Sequence, residues 1–265
     1  MGSLLGHSIP GAFIVTIGIW WTCHVFLRYY KALLRRPDSY TNTFSFVGEK
    51  WIPFDMYFIC FAGIIGITVD LLANMPHIQM QNIYHITMYV LFEFSAIARI
   101  LQLRKWKLPK KLEYALFALA FGIQGMLFYC HTHGRSQLDV TLHLFLCYSD
   151  VLIVASTLLE MAQPQSILPA LSKCLFIIVN GLWYFQLGLT LYPLSGEPFD
   201  GDNPTEIMMV PVYFAWNIIF TILGMTLIGI WQYNKVMDFQ HVRAVELQLL
   251  PSYSDAKEIS VIVEE

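Results

Sequence analysis

Charge is what this chain has least of. Only 13 % of its 265 residues are Asp, Glu, Lys or Arg, while 56 % are hydrophobic; soluble domains carry roughly a quarter charged residues. A water-soluble fold of this size would need far more charge to coat its surface. No basic face interleaved with aromatics exists, which removes nucleic acid from the expected partners. Cysteine is sparse and unpatterned. Cys23, Cys60, Cys130, Cys147 and Cys174 are odd in number and lack Cys-x-x-Cys spacing, so neither a disulfide framework nor a cysteine-rich zinc module is expected, and they read as packing residues. Asn-x-Ser/Thr acceptors are absent, because Asn203 is followed by Pro204. A signal-peptide cleavage site is also missing after the first apolar run, so that run is expected to stay as a signal anchor. Gly6 stands where N-myristoylation favours Ser or Thr after Met1-Gly2. The net charge of −3 averages over both sides of a membrane and says little.

Long apolar runs are abundant instead. Seven of them cover approximately 10–31, 53–73, 82–103, 112–130, 138–161, 170–192 and 205–233. A bilayer core requires roughly 20 mostly apolar helical residues, and only helices or closed barrels satisfy the backbone there. None of the seven has the ten-residue alternation of a barrel strand. The expected fold is all-α: a polytopic seven-helix bundle over residues 1–233. Residues 234–265 are polar and mixed in charge, and read as a disordered cytoplasmic tail. Glu246 to Leu250 only loosely resembles a dileucine signal.

Lysine and arginine set the orientation. Arg28, Lys31, Arg35, Arg36 and Lys50 follow span one, and Arg104, Lys105, Lys107, Lys110 and Lys111 follow span three. The loop after span two has none, the loop after span four only Arg135, and the loop after span six carries Glu197, Asp200, Asp202 and Glu206. This alternation predicts an N-terminus that is lumenal or extracellular and a cytoplasmic C-terminus, in the secretory pathway or plasma membrane. Short connections predict that consecutive helices are antiparallel neighbours. No internal repeat is evident. Trp20, Trp21, Trp51, Trp106, Trp231 and Tyr233 read as interface anchors, and Pro193, Gly196, Pro198, Gly201 and Pro204 mark an irregular last outer loop.

Ionisable groups in lipid tend to face a protein interior or a wet cavity. The topology gathers Asp70, His77, His85, His131, His133, Asp139 and His143 at the outer boundary, with Asp139 and His143 on one helical face. Imidazoles and a carboxylate from neighbouring helices are the donors of a zinc-like site, here His85, His131, His133, Asp139 and His143. Such an ion would lower the pKa of a bound water to about 7 for hydrolysis, or Asp139 would orient a histidine. A hydrogen-bonded interhelical network uses the same residues without an ion. A b-type haem on His85 and His143 ranks behind zinc, since it needs further contacts. Deeper lie Glu93 and Asp150, with Gln124, Asn180, Gln186 and Asn217. The two carboxyls would serve a proton or ion path, although protonated carboxyls bonded to neighbouring helices suit them as well.

Several blocks carry a family resemblance. They are Gly6-His7-Ser8-Ile9-Pro10-Gly11-Ala12-Phe13 with Trp20-Trp21, Tyr84-His85-Ile86-Thr87-Met88-Tyr89, and Phe128-Tyr129-Cys130-His131-Thr132-His133-Gly134-Arg135. Leu138-Asp139 with His143, and Gly181 to Gly188 running on to Leu191-Tyr192-Pro193, complete the set. Together they resemble the transmembrane protein 45 family, in its transmembrane epididymal branch. The resemblance implies a multi-pass membrane protein with no established biochemical activity. Two positions depart from the family pattern: Gln124 stands where Glu is expected, and Trp216-Asn217 where a Trp-His pair is usual. Both remove a titratable group from any shared site.

The leading expectation is a structural, adaptor or regulatory membrane protein with a His/Asp cluster at the lumenal boundary. It has the bilayer as partner, and any protein partner or lipid ligand is left open. The alternative is a metal-dependent membrane hydrolase acting on a lipid, akin in logic to seven-helix ceramidases and adiponectin receptors, though fold analogy does not give function. A transporter using Glu93 and Asp150 ranks third. A receptor ranks last, because Asp-Arg-Tyr and Asn-Pro-x-x-Tyr motifs are missing. A structural network predicts no vacant polar hollow among the histidines, whereas a transporter predicts a wet cavity reaching Glu93 or Asp150.

Overall fold

The computed structural model of the chain describes residues 3–36, 39–46, 53–196 and 199–249, the side chains of 73–74, 81, 240 and 242–249 excepted. Met1-Gly2, Lys50, Trp51, Glu197, Pro198, the side chains of Glu246 to Leu250 and the tail from 250 onward lie outside the described residues. The elements are α1 (Leu4–Arg35), α2 (Phe54–Asn74), α3 (Met80–Leu103), α4 (Leu112–Cys130), α5 (Gln137–Ala162), α6 (Ile167–Leu191) and α7 (Pro204–Leu249), and no strand occurs among the described residues. All seven helices are long and apolar enough to cross a membrane, so this is an integral multi-pass membrane protein.

Local chemistry explains where the helices begin. Ser3 caps α1 by accepting from the Gly6 amide at 3.0 Å. Asn82 reaches back to accept from the Gln79 amide at 2.8 Å at the start of α3. Ser136 caps α5, whose first turn carries Asp139, the charge that suits the positive end of a helix. One boundary differs from the sequence expectation: α7 does not end at Tyr233 but continues to Leu249. No proline or glycine follows Tyr233 before Pro251, so nothing in the chain breaks the helix where the apolar run stops.

Six helices close into a ring in chain order, α1 through α6, with α6 returning to α1; α7 packs outside this ring against α1, α5 and α6. The expected adjacency of consecutive helices therefore holds around the ring, but α1 packs most extensively on α6 rather than on α2. Glycine is the reason. A methyl group on Gly11 would stand 2.8 Å from the Gly181 carbonyl oxygen, and one on Gly181 would stand 2.9 Å from the Gly11 oxygen. In lipid, where one helix is as apolar as the next, such close backbone approach selects partners.

The ring is filled at one end by the chain itself. Residues 39–46, between α1 and α2, tuck inside it, burying Tyr40, Asn42, Phe44, Ser45 and Phe46. Phe44 meets the rings of Trp21, Tyr114 and Phe117 at 4.9–5.8 Å. Several of the loop's polar groups are bonded by the surrounding residues. Asp55 accepts from the Phe46 amide and from Trp21 Nε1, both at 3.0 Å, Arg28 donates to Thr43 Oγ1 at 2.8 Å, and Arg99 donates to Ser45 Oγ at 2.8 Å. Asn42 donates its amide to the Pro164 carbonyl at 2.8 Å and its side chain to Glu160. Glu160 also accepts from Tyr114 Oη at 2.9 Å and pairs with Lys173 at 2.6 Å.

Candidate functional site: a chamber with one polar end

Above the loop the ring is hollow. A cavity of about 490 Å³ is lined by residues of α1 to α6 and by none of α7, within the ~300–1,000 Å³ usual for ligand sites. Its lower wall, toward the loop, is apolar: Ile17, Phe58, Phe92, Phe117, Phe121 and Ile177. At its opposite end lie His7, Asp70, His85, His131, Arg135 and His143. Gln124, Tyr89 and Tyr184 line it between.

The four imidazoles form a row. Ring centroids are 6.4 Å apart for His7 and His143, 6.2 Å for His143 and His131, and 6.1 Å for His131 and His85. Each is anchored from behind. His7 donates Nδ1–H to the Ser3 carbonyl at 2.8 Å and stacks on Tyr192 at 5.8 Å. His143 Nδ1 lies 2.7 Å from Asp139 Oδ1, and the other oxygen of that carboxylate accepts from Arg135 at 2.8 Å. Arg135 also donates to His131 Nε2 at 2.6 Å. His85 Nδ1 is 3.6 Å from Asp70, which accepts from Asn82 at 3.1 Å. The i, i+4 spacings Arg135–Asp139 and Asp139–His143 place this relay along the turn and first helical turns of α5. Burial, together with the positive charge of Arg135, lowers the His131 pKa to about 4. At neutral pH its Nε2 is therefore an acceptor for the guanidinium. With Nδ1 donating to the Ser3 carbonyl, the neutral His7 ring keeps Nε2 as a hydrogen-bond acceptor, and both His7 and His143 line the chamber.

Of the five candidate ligands expected from the sequence, His85, His131, Asp139 and His143 come together here. His133 is exposed in the turn and does not line the chamber, and His77 is also exposed. Among the described residues, no three His, Cys, Asp or Glu side chains group closely enough to hold a metal ion. Neighbouring imidazole centroids stand 6.1–6.4 Å apart, whereas a tetrahedral zinc draws its nitrogens to 2.0–2.1 Å from one point. Glu93 and Asp150 do not line the chamber. Glu93 packs over Gly63 of α2. Asp150 is buried and accepts from Gln124 at 2.9 Å and Asn180 at 3.0 Å, and Asn180 also donates to Ser149 at 2.7 Å. Gln124 joins this network to the chamber wall. Asn217 belongs to α7, outside the ring, and bonds its own helix at Tyr213.

His7 was not among the candidates drawn from polar spacing, and Arg135 entered only through the charge pattern and as the end of the Phe128-to-Arg135 resemblance block. The sole sequence signal for His7 is the Gly6-His7 start of the first resemblance block. Its neighbours in space, His143 and Tyr192, come from distant helices, so no local spacing announces it.

Residues 110–230 match the model of a family of unknown function, DUF716. Transmembrane epididymal protein 1A of Mus musculus is 22% identical over 243 residues, 85% of this chain and 79% of the relative. Transmembrane epididymal protein 1 of Rattus norvegicus is 20% identical over 269 residues, 95% of this chain and 86% of the relative. Its Homo sapiens counterpart is 28% identical over 160 residues, 57% and 55% respectively. The likeness to the transmembrane epididymal branch read from the sequence is borne out.

Proposed function

We propose that this chain, a multi-pass membrane protein similar to the transmembrane epididymal proteins, binds an amphipathic, lipid-like molecule within its ring of helices. The single observation behind this reading is the segregation of the chamber wall, polar at one end and apolar at the other. A purely structural or adaptor role for the histidines accounts for their mutual contacts but not for a hollow of about 490 Å³ between them. The carrier reading gains no support from Glu93 or Asp150, which lie off the chamber wall. In this proposal the histidine end faces the lumen or exterior, as the Lys/Arg distribution favours, and the loop-filled end faces the cytoplasm.

The test is solvent extraction and mass spectrometry of detergent-purified protein, wild type beside Ala62→Trp, which places an indole at the chamber wall. A near-stoichiometric amphipath in the wild type, depleted in a variant of unchanged thermal stability, supports binding. Equal lipid content in both, or none in either, overturns it and returns the structural or adaptor role to first place. Metal analysis of the same preparations decides the alternative: stoichiometric zinc lost in His131→Ala/His143→Ala favours the lipid hydrolase.

A further inference from the structure

The proposed binding leaves open which lipid enters and by what route, and the chamber's depth, charge and walls bear on both. On α4 its lining runs from His131 to Phe117, about 21 Å at a rise of ~1.5 Å per residue. A whole bilayer with its headgroup regions is roughly 40–45 Å thick, so the chamber is one leaflet deep. Below it, Phe44 of the inserted loop packs with Trp21, Tyr114 and Phe117, and none of the described loop residues lines the chamber.

The ring has one thin seam. Of its six helix pairs, α1 and α2 share the least packing. Low in this seam Phe13 closes it, with its ring 5.5 Å from Phe58 and 6.5 Å from Phe61. Higher up, Leu5 of α1 and Val69 of α2 line the chamber and are 69% and 43% exposed. Both are apolar, and both lie at the histidine end of helices that cross the membrane. The upper part of this thinly packed seam is thus apolar on both sides.

The polar end holds no spare positive charge. Among the described residues Arg135 is its one permanent cation, and its guanidinium bonds Asp139 and His131. Asp70 stands beside His85, Asp139 beside His143. What the end offers a ligand is acceptor capacity from its imidazoles, His7 Nε2 among them. That matches hydroxyl or amide N–H donors and leaves a phosphate without a counter-charge.

We infer that the chamber takes a lipid with an uncharged, hydrogen-donating head group from the adjoining leaflet, admitted sideways between α1 and α2. This rests on the lipid-binding reading above. The head-group hydroxyl or amide bonds the histidine row, and the acyl chain lies along Ile17, Phe92, Phe117 and Phe121.

The experiment uses the full chain in phosphatidylcholine vesicles containing a photoactivatable diacylglycerol, or a phosphatidic acid with the same chains. Labelled peptides are mapped by mass spectrometry. Diacylglycerol is expected to label chamber-lining segments, with phosphatidic acid at least about tenfold weaker, since an uncompensated charge costs more than one decade of affinity. A Leu5→Cys/Val69→Cys variant, bridged across the upper seam by a reducible thiol cross-linker, is expected to lose labelling and regain it on reduction. That recovery separates a closed seam from a misfolded protein. Each single-cysteine variant, treated likewise, is expected to label normally. Equal or stronger labelling by phosphatidic acid overturns the head-group assignment. Undiminished labelling in the bridged variant overturns the lateral route. Failure of both lipids to label the chamber overturns the binding reading itself.

Discussion

Lys173→Met tests whether the buried charge at the loop-filled end holds the bundle together. Lys173 is 2% exposed, with Nζ 2.6 Å from Glu160 Oε2. Nζ also sits 4.6, 5.4 and 5.6 Å from the ring centroids of Trp21, Phe44 and Tyr114. Methionine keeps the hydrocarbon stem and removes the ammonium. Glu160 is then left buried, with only the neutral donors Tyr114 and Asn42. Removing one partner of a buried pair costs about 3–5 kcal/mol, of which cation–π attraction supplies up to about 2. For a chain of this size the change corresponds to a melting point lower by on the order of 10 °C. The matched control is Lys173→Met/Glu160→Gln, which removes both charges and should recover at least about 2 kcal/mol, because an orphaned ion costs more than a neutral pair. Thermal unfolding in detergent followed by tryptophan fluorescence reads both variants, and hydrogen exchange at residues 39–46 reports whether the loop loosens. A loss below about 1 kcal/mol in the single variant, or a double variant as unstable as the single, would refute the argument.

Three further outcomes are expected. Gly181→Val drives a branched side chain into the Gly11 carbonyl 2.9 Å from its Cβ and should destabilise by about 1–3 kcal/mol or more, seen as a lower melting point and as new cysteine accessibility at Cys23 of α1. Trp21→Phe keeps the ring but removes a buried donor to Asp55, at a cost of about 1–3 kcal/mol, with faster proteolysis within residues 39–46; an unchanged cleavage rate would contradict the loop's anchoring. His131 should make stability pH-dependent. Its pKa falls from 6.5 to about 4 on folding, so the unfolded chain takes up the proton first. Its contribution is full above pH 6.5 and is lost as pH falls from there toward 4. A pH series of melting points should show this slope, and His131→Gln should flatten it.

Much of the architecture is legible in single residues. The spans are readable because an apolar run of about 20 residues has few alternatives to crossing a bilayer. Asp139–His143 is readable because i, i+4 spacing puts two side chains on one helical face whatever surrounds them. His85 and His131 follow once helices alternate in direction. His133 illustrates the limit of that logic: two residues beyond His131, at the same boundary, it points out of the turn. Gln124, Asp150 and Asn180 are readable as polar residues in lipid, but not as one network with Asp150 accepting from both amides.

The sequence by itself determined seven membrane-crossing helices, their alternation and the height at which the polar groups lie, since each follows from local apolarity and helical rise. Only the tertiary structure decided that α1 closes on α6 through Gly11 and Gly181, that α7 stays outside, that residues 39–46 fill one end, and that His7 completes the histidine row. Hydropathy drives a helix into lipid without choosing its neighbours. That choice rests on small residues and satisfied polar atoms brought together from distant parts of the chain.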